Sequence, residues 1–485
     1  MEQIDRERFK KAGYSEDVLP AKESERTWNI GNYFTVWMGS VHNIPNYVAI
    51  GGLFALGMSV GQVFTSIMVG AVIIAAVLIF NGYAGSKYGL PFAMYLRTAF
   101  GTKGAVIPGV IRGVISAIMW FGFQTYAGSE ALLILIGKLW PAFLTLGGDW
   151  SFFGLSFPGL ISFVLFWLFN VALIYGGMGF LGRFTNYLSP LIYIVFGGMA
   201  IWAISLAGGI GPILHYSAEG ISGNKVIVFL GAVVAVIAAW APPMVNVADF
   251  TRLAKTHKDQ VVGQTLGIII TYILFAVASI AIIVGSEVAF GTPIWNVLDV
   301  VSRFDSGFAI GISVLTLCLT TLSVNVTGNI VPAGYQLASL FSKLNFKTGA
   351  TIAAILGTVY MPWKLMENST SIFAFLNIVS GLLAPITGIL LAHYFIVSKQ
   401  KIDLNELYSK QGKYHYYKGF NINAIITLVI SGVLALIGNF VPFFEPLYKL
   451  SWFVGIVSAI IIYTLLEYSK ASSKVRVRKV ATEYK

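Results

Sequence analysis

The chain has 485 residues, of which 56% are hydrophobic and 11% charged, and its mean hydropathy is +0.77. A soluble domain carries about 25% charged residues, so this composition excludes an ordinary soluble protein and indicates an integral membrane protein. The net charge of +11 comes mainly from basic residues at the termini and in short loops. It attracts anionic lipid and does not require nucleic acid as a partner. The single Cys318 excludes an internal disulfide and suits no metal cluster.

Apolar segments follow one another along the whole chain, and a helix of about 20 apolar residues crosses a hydrocarbon core of about 30 Å. Twelve spans are predicted, at 32–57, 62–81, 105–137, 155–177, 187–207, 226–247, 262–286, 307–331, 348–363, 369–396, 421–441 and 450–468. No linker separates soluble domains. The sequence therefore predicts one all-α transmembrane domain over 29–468, an N-terminal tail over 1–28 and a basic C-terminal tail over 469–485. The first 28 residues lack the apolar core of a signal peptide, so we expect no cleavage there.

The basic residues predict the orientation of the chain. With a cytoplasmic N-terminus, most of the 32 Lys and Arg residues fall on the inside, as the positive-inside rule requires. The exceptions are Arg112, within span three, and the outside residues Lys138, Lys225, Arg303, Lys364 and Lys449. We therefore expect a multi-pass protein of the cell membrane with both termini in the cytoplasm.

Spans one and six are both interrupted near their middle. Span one reads WMGSVHNIPNYVAI from Trp37 to Ile50, and Pro45 within it removes a backbone donor. Span six reads AAWAPPMVNVADF and contains the tandem Pro242 and Pro243. Broken helices in a membrane are tolerated only where they are buried in protein or line a cavity, and there the freed backbone groups can bind a cation or a polar substrate. Because the breaks lie five spans apart, they predict two five-span repeats of inverted topology.

The third span of each predicted repeat carries side chains that suit the same site. Trp120 and Gln124 in span three are four residues apart, and so are Asn325 and Asn329 in span eight, which puts each pair on one helical face. Indole rings would stack on a flat ligand, while primary amides donate to and accept from its edges. This combination favours a neutral planar heterocycle with amide or ureide groups.

Each of these residues also has a purely structural explanation. Asn and Gln in membranes often bridge helices, Trp often anchors at the interface, and a proline can simply kink a helix. His42 is more often a satisfied core histidine than a proton carrier. Glu130 can be interfacial, and Asp249 can pair with Arg252. The functional interpretation is favoured because these features recur in matching spans.

Other classes of protein fit the sequence less well. A channel would use filter rings or a repeated pore segment, and none is found. A membrane enzyme would need a nucleophile with its base or clustered metal ligands, whereas the five His residues are scattered and no HExxH or GxSxG motif occurs. A channel or a membrane enzyme stays as the alternative from a different class. Saturable exchange of label would distinguish a carrier from a channel, and product formation would reveal an enzyme.

Six motifs stand in order along the chain: WMGSVHNIPNY, WFGFQTYAG, SVNVTGNIVPAGY, YMPWKL, HYFIV and the Tyr-rich QGKYHYYKGFN. Together they resemble the nucleobase–cation symporter-1 family, from about Arg26 to Tyr468. The HNIP form of span one is most similar to bacterial allantoin permeases. The resemblance implies the leucine-transporter-type fold, a five-plus-five inverted repeat followed by two extra C-terminal helices.

The resemblance also implies a substrate site. In the family a Trp of span three and a Trp of span six sandwich the ring, and the matching residues here are Trp120 and Trp240. The family's hydrogen-bonding Gln and Asn match Gln124 and Asn329. Asn43 stands where the hydantoin transporter has a Gln, and its shorter side chain would leave room for a ligand with a ureido tail, such as allantoin.

The family's sodium site is only partly matched. The matching groups are the carbonyls of Gly39, His42 and Thr320 and the hydroxyl of Ser323. Val324 replaces a second hydroxyl of the family. By analogy with other hard cations, sodium binds about five or six oxygens, so the loss of this hydroxyl should weaken the site unless water or Thr321 substitutes. Na+ and H+ therefore both stay open as the coupling ion, as does uncoupled facilitation. His42 and Glu130 are the candidate proton carriers, and no cofactor is expected.

Together these observations predict a secondary active importer and not an enzyme. The expected substrate is a small planar amide or ureide heterocycle of purine metabolism, with allantoin first and uracil, cytosine, purines or hydantoins as alternatives. The fold resemblance implies alternating access, in which a bundle of spans one, two, six and seven rocks against the rest. The expected partners are the small-molecule substrate and the lipid bilayer.

Overall fold

A computed structural model of the chain is mostly helical. It describes residues 6–11, 13–14, 16–176, 178–216, 218–291, 296–303, 306–341, 344–366, 368–409 and 411–483. The outer end of each predicted tail, residues 1–5 and 484–485, lies outside the described residues. The side chains of 178–190 and 471–483 also lie outside them.

Helices account for most of the described chain. In the first part they are α1 (Arg6–Lys11), α2 (Ile30–Val41), α3 (Ile44–Ala55), α4 (Val60–Asn81), α5 (Tyr83–Tyr88), α6 (Phe92–Phe100), α7 (Val106–Val110), α8 (Ala117–Leu139), α9 (Phe157–Gly176), α10 (Met178–Leu206) and α11 (Ile210–Leu214). In the second part they are α12 (Lys225–Ala238), α13 (Ala241–Asn246), α14 (Ala248–Thr251), α15 (His257–Phe290), α16 (Val297–Ser302), α17 (Gly307–Asn325), α18 (Val331–Leu340), α19 (Phe346–Val359), α20 (Ser369–Leu391), α21 (Leu404–Leu407), α22 (Ile422–Leu436), α23 (Glu445–Lys449) and α24 (Ser451–Glu483).

Short irregular elements complete the structure. Three wider, π-helical segments are π1 (Ile111–Ser116), π2 (Val326–Ile330) and π3 (Ala392–Val397). Turns of 3-10 helix are Glu16–Val18, Glu23–Glu25, Pro141–Thr145, Pro362–Met366, Lys413–His415, Ile437–Asn439 and Pro442–Phe444. Strands β1 (Ser151–Phe152) and β2 (Leu155–Ser156) form an antiparallel hairpin, in which Ser151 lies opposite Ser156.

Every predicted span overlaps at least one of these helices. Within the described ranges, eight helical stretches are long and apolar enough to cross a membrane: Val60–Tyr88, Val106–Leu139, Phe157–Gly176, His257–Phe290, Gly307–Ala338, Thr370–Val397, Ile422–Asn439 and Ser451–Lys470. Both predicted interruptions are present, because α2 gives way to α3 in span one and α12 gives way to α13 in span six. The chain is therefore a multi-pass membrane protein.

Local sequence explains where several helices begin and end. At the start of α4, Ser59 Oγ accepts a hydrogen bond from Gln62 N at 3.3 Å, and Gln62 Oε1 accepts one from Ser59 N at 2.9 Å, which is a reciprocal capping box. At the start of α15, Thr256 Oγ1 is an N-cap that accepts from Asp259 N at 3.1 Å. α15 ends at Gly291, whose φ of +66° few other residues adopt at low cost.

Glycines allow close packing among α2, α4, α12 and α15. A Cβ on Gly263 of α15 would lie 2.8 Å from Ile30 O, and one on Gly267 would lie 3.1 Å from Phe34 Cα, both atoms of α2. A Cβ on Gly70 of α4 would lie 2.7 Å from Val236 Cγ1 of α12. Small residues of this kind let membrane helices approach closely. We call α2–α4 and α12–α15 the first helix group.

A second helix group is formed by π1, α8, α9, α17, π2, α18 and α19. Some of its residues belong to the main apolar core that it shares with the first group, and a smaller apolar core lies within the second group. That smaller core consists of Ala117, Phe121, Ile174, Val326, Ile330, Ala333, Leu337, Ala350, Ala353 and Ala354. Gly357 of α19 lies against it, since a Cβ there would be 2.6 Å from Phe121 Cδ1. The C-terminal helices α20, α22 and α24 pack on one another, and α20 also contacts α12 and α13.

The described part of the predicted N-terminal tail is folded against the helix ends. Phe9 is buried, and its ring lies 4.9 Å from that of Tyr408. Tyr408 Oη donates to Val18 O at 2.6 Å. Trp28 forms a bridge with Ala254 in the loop after α14. At the other end of the chain, α24 continues past residue 468, so the predicted C-terminal tail begins as an extension of the last helix.

Candidate functional site

The polar residues of span one close its break. Asn43 Oδ1 accepts from Asn46 N at 3.2 Å and so caps α3, while Asn43 Nδ2 donates to Ser40 O at 3.0 Å. Asn46 Nδ2 donates to Val41 O at 2.7 Å. The HNIPN sequence therefore supplies its own hydrogen-bond partners, and the amide of Asn43, which we predicted to contact a substrate, is engaged in this local network.

Two carbonyls at the break stay available. In the described part of the chain no hydrogen-bond donor reaches the carbonyl oxygens of Gly39 or His42. Both were predicted as cation ligands, and freed carbonyl oxygens are ligands that Na+ prefers. α2 contacts α17, the helix that carries Thr320 and Ser323. Those two residues are buried, whereas Val324 is only half-buried.

His42 lies in an aromatic cage. Its ring centroid is 4.8 Å from that of Tyr193, 5.2 Å from Phe196 and 5.5 Å from Phe275. Its Nδ1 lies 3.2 Å from Tyr47 Oη, and its Nε2 has no partner among the described residues. This environment has the features of a packed core histidine, and the hydrogen-bond partner of the imidazole among the described residues is the Tyr47 hydroxyl.

The break in span six is satisfied by side chains from other spans. Asn81 at the end of α4 donates from Nδ2 to Met244 O at 2.7 Å and to Val245 O at 3.0 Å. Arg112 in π1 donates from Nε to Pro242 O at 2.8 Å. Neither residue was predicted as part of the site. Asn81 ends an apolar run and Arg112 is the one basic residue within span three, so both were visible as polar groups without an assigned partner.

The two asparagines of span eight lie together, as their spacing predicted. Asn329 Nδ2 donates to Asn325 Oδ1 at 2.9 Å, and Asn325 Nδ2 lies within hydrogen-bonding distance of Thr125 Oγ1 at 3.0 Å and Asn170 Oδ1 at 3.1 Å. Asn170 Nδ2 in turn donates to Phe166 O at 2.8 Å. The network orients the Asn329 amide and leaves its Oδ1 without a partner in the described structure. Asn170 is a further residue that the sequence analysis missed.

Trp120 and Gln124 are buried and present polar atoms without partners. Within the described residues, Trp120 Nε1 and Gln124 Oε1 have no hydrogen-bond partner. The Trp120 ring is held edge-on, with its centroid 5.7 Å from Phe123 and 4.9 Å from Phe375 of α20. α20 therefore supplies a wall of the site, which the sequence did not indicate. Buried polar atoms without partners are costly, so these two are suited to a ligand's acceptor and donor.

Trp240 follows the end of α12 at the second break. Its ring centroid is 5.3 Å from Trp37 of α2 and 6.2 Å from Tyr272 of α15. The rings of Trp120 and Trp240 thus belong to separate aromatic clusters, the first in the second helix group with α20 and the second in the first helix group. Trp240 is buried.

The acidic residue Asp249 bonds to Asn246 at the break in span six, and the acidic residue Glu130 lies on α8. Glu130 is half-buried on α8, beyond Gln124. Asp249 Oδ1 accepts from Phe92 N at 2.8 Å, at the start of α6, and its Oδ2 accepts from Asn246 Nδ2 at 3.2 Å. No cluster of three or more His, Cys, Asp or Glu residues suited to a metal occurs in the described part of the chain.

A comparison with protein families identifies the protein class. Residues 20–455 match the family model described as "Permease for cytosine/purines, uracil, thiamine, allantoin". The chain belongs to the nucleobase–cation symporter-1 family. It is thus a membrane transporter of the class that its motifs indicated, and the family resemblance is confirmed.

Relatives within the symporter family are similar over nearly their full length. The chain is 53% identical to a provisionally named allantoin permease of Escherichia coli (strain K12), over 97% of this chain and 98% of the relative. It is 44% identical to the allantoin permease of Bacillus subtilis (strain 168), over 93% and 92%.

Solved structures of a symporter in this family share the fold. The chain superimposes on inward-facing Mhp1 with a TM-score of 0.76 at 24% identity, covering 95% of this chain and 94% of Mhp1. A closed conformation of Mhp1 with bromovinylhydantoin bound gives the same TM-score at 23% identity, covering 95% and 96%. The fold of this chain is therefore that of Mhp1.

Proposed function

We propose that this family member is a secondary active importer of allantoin. The observation that carries the proposal is a pair of buried polar atoms on α8, Trp120 Nε1 and Gln124 Oε1, which have no described partner. α8 contacts α3 of the broken span one. One donor and one acceptor next to indole rings match a neutral ring with amide edges. The identity of 44% to the Bacillus subtilis allantoin permease favours allantoin among such rings.

Each proposed substrate residue has a distinct role. Trp120 and Trp240 stack on the two faces of the ring when the two helix groups approach each other. Gln124 and Asn329 hydrogen-bond its amide edges, and Asn329 is already oriented by Asn325. Asn43 contacts the ureido tail through an amide hydrogen or oxygen lone pair that its capping bonds do not use.

The proposed architecture is a five-plus-five inverted repeat of the leucine-transporter type followed by two further helices, twelve spans in all. The transmembrane domain covers 29–468, and both termini lie in the cytoplasm, as the distribution of Lys and Arg predicts. Alternating access comes from rocking of the first helix group against the second.

For the coupling ion, the geometry favours Na+ over H+. The available carbonyls of Gly39 and His42, together with Thr320 O and Ser323 Oγ, form the proposed site. Thr321 Oγ1 is buried without a described partner and is the substitute for the hydroxyl that Val324 lacks. The aromatic cage of His42 does not favour a proton carrier. Glu130 is the remaining candidate for proton coupling.

Uptake of radiolabelled allantoin into proteoliposomes tests the proposed function. Unlabelled hydantoin, uracil, cytosine, adenine and guanine serve as competitors, and each condition is run with and without a sodium gradient. The expected result is saturable uptake that allantoin inhibits most strongly and that a sodium gradient stimulates. Uptake of a nucleobase without uptake of allantoin would favour the second candidate, a nucleobase permease of the same family. Chemical conversion of the label would contradict both.

A further inference from the structure

Arg112 connects three helices in the interior of the protein. It lies in π1 with only 2% of its surface exposed. Its Nε donates to Pro242 O at 2.8 Å and lies 3.2 Å from Asn246 Oδ1, both in α13. Its Nη2 donates to Gly328 O in π2 at 3.2 Å. One guanidinium therefore holds together segments of spans three, six and eight.

Two of its acceptors are backbone carbonyls in irregular segments of helix. The residue four positions after Gly328 is Pro332, which has no N–H to donate to Gly328 O. Pro242 stands in the first turn of α13, immediately after the break. Arginine can supply donors in several directions, so this side chain reaches carbonyls in two different helices at once.

The positive charge is only partly compensated. Asn246 Oδ1 faces the guanidinium, while Asn246 Nδ2 donates to Asp249 Oδ2 at 3.2 Å, so an amide stands between the cation and the carboxylate. Arg112 Nη1 has no partner among the described residues although it is buried. A buried cation with an unused donor is costly, so water reaching the guanidinium would stabilise it.

The bonds of Arg112 divide along the boundary between the helix groups. Gly328 belongs to the second helix group, like Arg112 itself, whereas Pro242 and Asn246 belong to the first. A rocking motion between the groups would break the bonds to α13 and preserve the bond to π2. The contacts of Arg112 lie on the side of Trp120 and Trp240 that faces the N-terminal segment. This follows because α14, which comes after α13, leads into the loop whose Ala254 forms a bridge with Trp28.

We propose that Arg112 is a positioning residue that latches the inner side of the transporter closed. This inference rests on the proposed alternating access between the helix groups. In the inner-closed state the guanidinium holds α13 through Pro242 O and Asn246 Oδ1. Opening of the inner side breaks those bonds and admits water to the guanidinium, including Nη1. The latch therefore sets the equilibrium between inner-closed and inner-open states without contacting the substrate.

A single reporter cysteine tests the latch. Ser116 follows Arg112 by one turn, is 1% exposed, and has an Oγ without a described partner, so Ser116→Cys is a small change. The reporter is introduced together with Cys318→Ala, which removes the native thiol. The labelling rate by a membrane-impermeant maleimide is then measured in inside-out vesicles, with no ligand present.

Removal of the latch is expected to expose the reporter. Arg112→Met should raise the labelling rate about tenfold, because charged hydrogen bonds that favour the closed state are lost, and Arg112→Lys should give an intermediate rate. The matched control is Tyr360→Phe, which removes a hydroxyl that donates to Met119 O within the second helix group. That control should label at the parent rate, although it also loosens span three.

Equal labelling of Arg112→Met and the parent would overturn the latch. If Arg112→Met does not reach the membrane, Asn246→Ala removes one acceptor on α13 and should raise the rate about threefold. An unchanged rate in Asn246→Ala would then overturn the proposal. Because no ligand is used, the labelling result does not depend on which substrate the protein transports. The labelling result can therefore be interpreted even if allantoin is not taken up.

Discussion

The two broken helices of this transporter look alike in sequence, but they are completed in different ways. In span one, Asn43 and Asn46 of the same segment cap the break, and the carbonyls of Gly39 and His42 have no described donor. In span six, Asn81 and Arg112 come from other spans and occupy the carbonyls.

The difference assigns different roles to the two breaks. A break that closes on itself and leaves two carbonyls unused is suited to an ion. A break whose carbonyls are held by two other helices is suited to transmit motion, because its geometry depends on where those helices lie. Proline near both breaks is therefore a poor guide to function, and the donors that surround each break are a better one.

The largest effect is expected from Asn81→Ala, which tests the hydrogen bonds that other spans make to the break in span six. Its loss leaves Met244 O and Val245 O buried without donors, at a cost of about 2–4 kcal/mol in the free energy of unfolding. Thermal unfolding of the purified protein should move to clearly lower temperature. Asn423→Ala, which removes an amide that bonds Glu467 far from both breaks, is the control. Equal stability of the two variants would contradict the role given to Asn81.

Asn329→Ala should weaken substrate binding by about 1–3 kcal/mol, because a ligand edge would be buried without a partner. Competition binding with labelled allantoin would measure the change, which corresponds to roughly tenfold or more in affinity. Asn325→Ala should give part of the same loss, since Asn325 orients Asn329 without contacting the ligand. A normal affinity in Asn329→Ala would remove span eight from the substrate site.

Trp120→Ala should cost about 1–1.5 kcal/mol of binding, roughly tenfold in affinity, through lost stacking on the ring. Trp120→Phe should recover much of this affinity, because a phenyl ring also stacks. The apparent KM for allantoin uptake is the measurement, normalised to the amount of protein in the membrane. If Ala and Phe behaved identically, the indole would act through packing against Phe375 and not through the ligand.

Asn43→Gln tests whether the capping residue of span one also selects the ligand. Glutamine is a poorer N-cap than asparagine, so we expect a loss of about 1 kcal/mol in stability. We also expect a shift in preference from allantoin toward hydantoin, read from competition by the two compounds in uptake. Loss of stability with no change in preference would restrict Asn43 to capping.

The smallest effect is expected from Val324→Ser, which adds a hydroxyl beside the proposed cation site. An additional oxygen ligand should strengthen Na+ binding. The concentration of sodium that gives half-maximal uptake should fall a fewfold, while uptake without sodium stays the same. Val324→Ala, which changes the volume without adding oxygen, is the matched control. An identical sodium response in both variants would speak against the site.

The sequence predicted the parts of this structure that depend on local chemistry. Proline positions located both breaks, and the four-residue spacing of Asn325 and Asn329 correctly predicted that they share a face. Partners that come from distant parts of the chain were not predictable, because nothing near Arg112 or Asn81 in sequence identifies a carbonyl in span six. Those contacts exist only after the helices have packed.

Helix length was another feature that local composition did not decide. α24 continues well past the apolar stretch, because polar residues can extend a helix beyond the membrane. The N-terminal segment was expected to be a tail, yet the apolar side chain of Phe9 packs against Tyr408, which lies nearly four hundred residues later in the chain. Such burial cannot be inferred from the charged composition of the segment.

Calorimetric titration of allantoin into the purified protein, compared with Gln124→Ala, tests the central claim most directly. Gln124 Oε1 is buried and has no described partner, so in the proposed site it accepts a hydrogen bond from a donor of the ligand. We expect allantoin to bind the native protein, hydantoin to compete, and Gln124→Ala to bind about tenfold or more weakly. Equal affinity of the variant and the native protein, in the presence of clear binding, would contradict the substrate site proposed at Trp120 and Gln124.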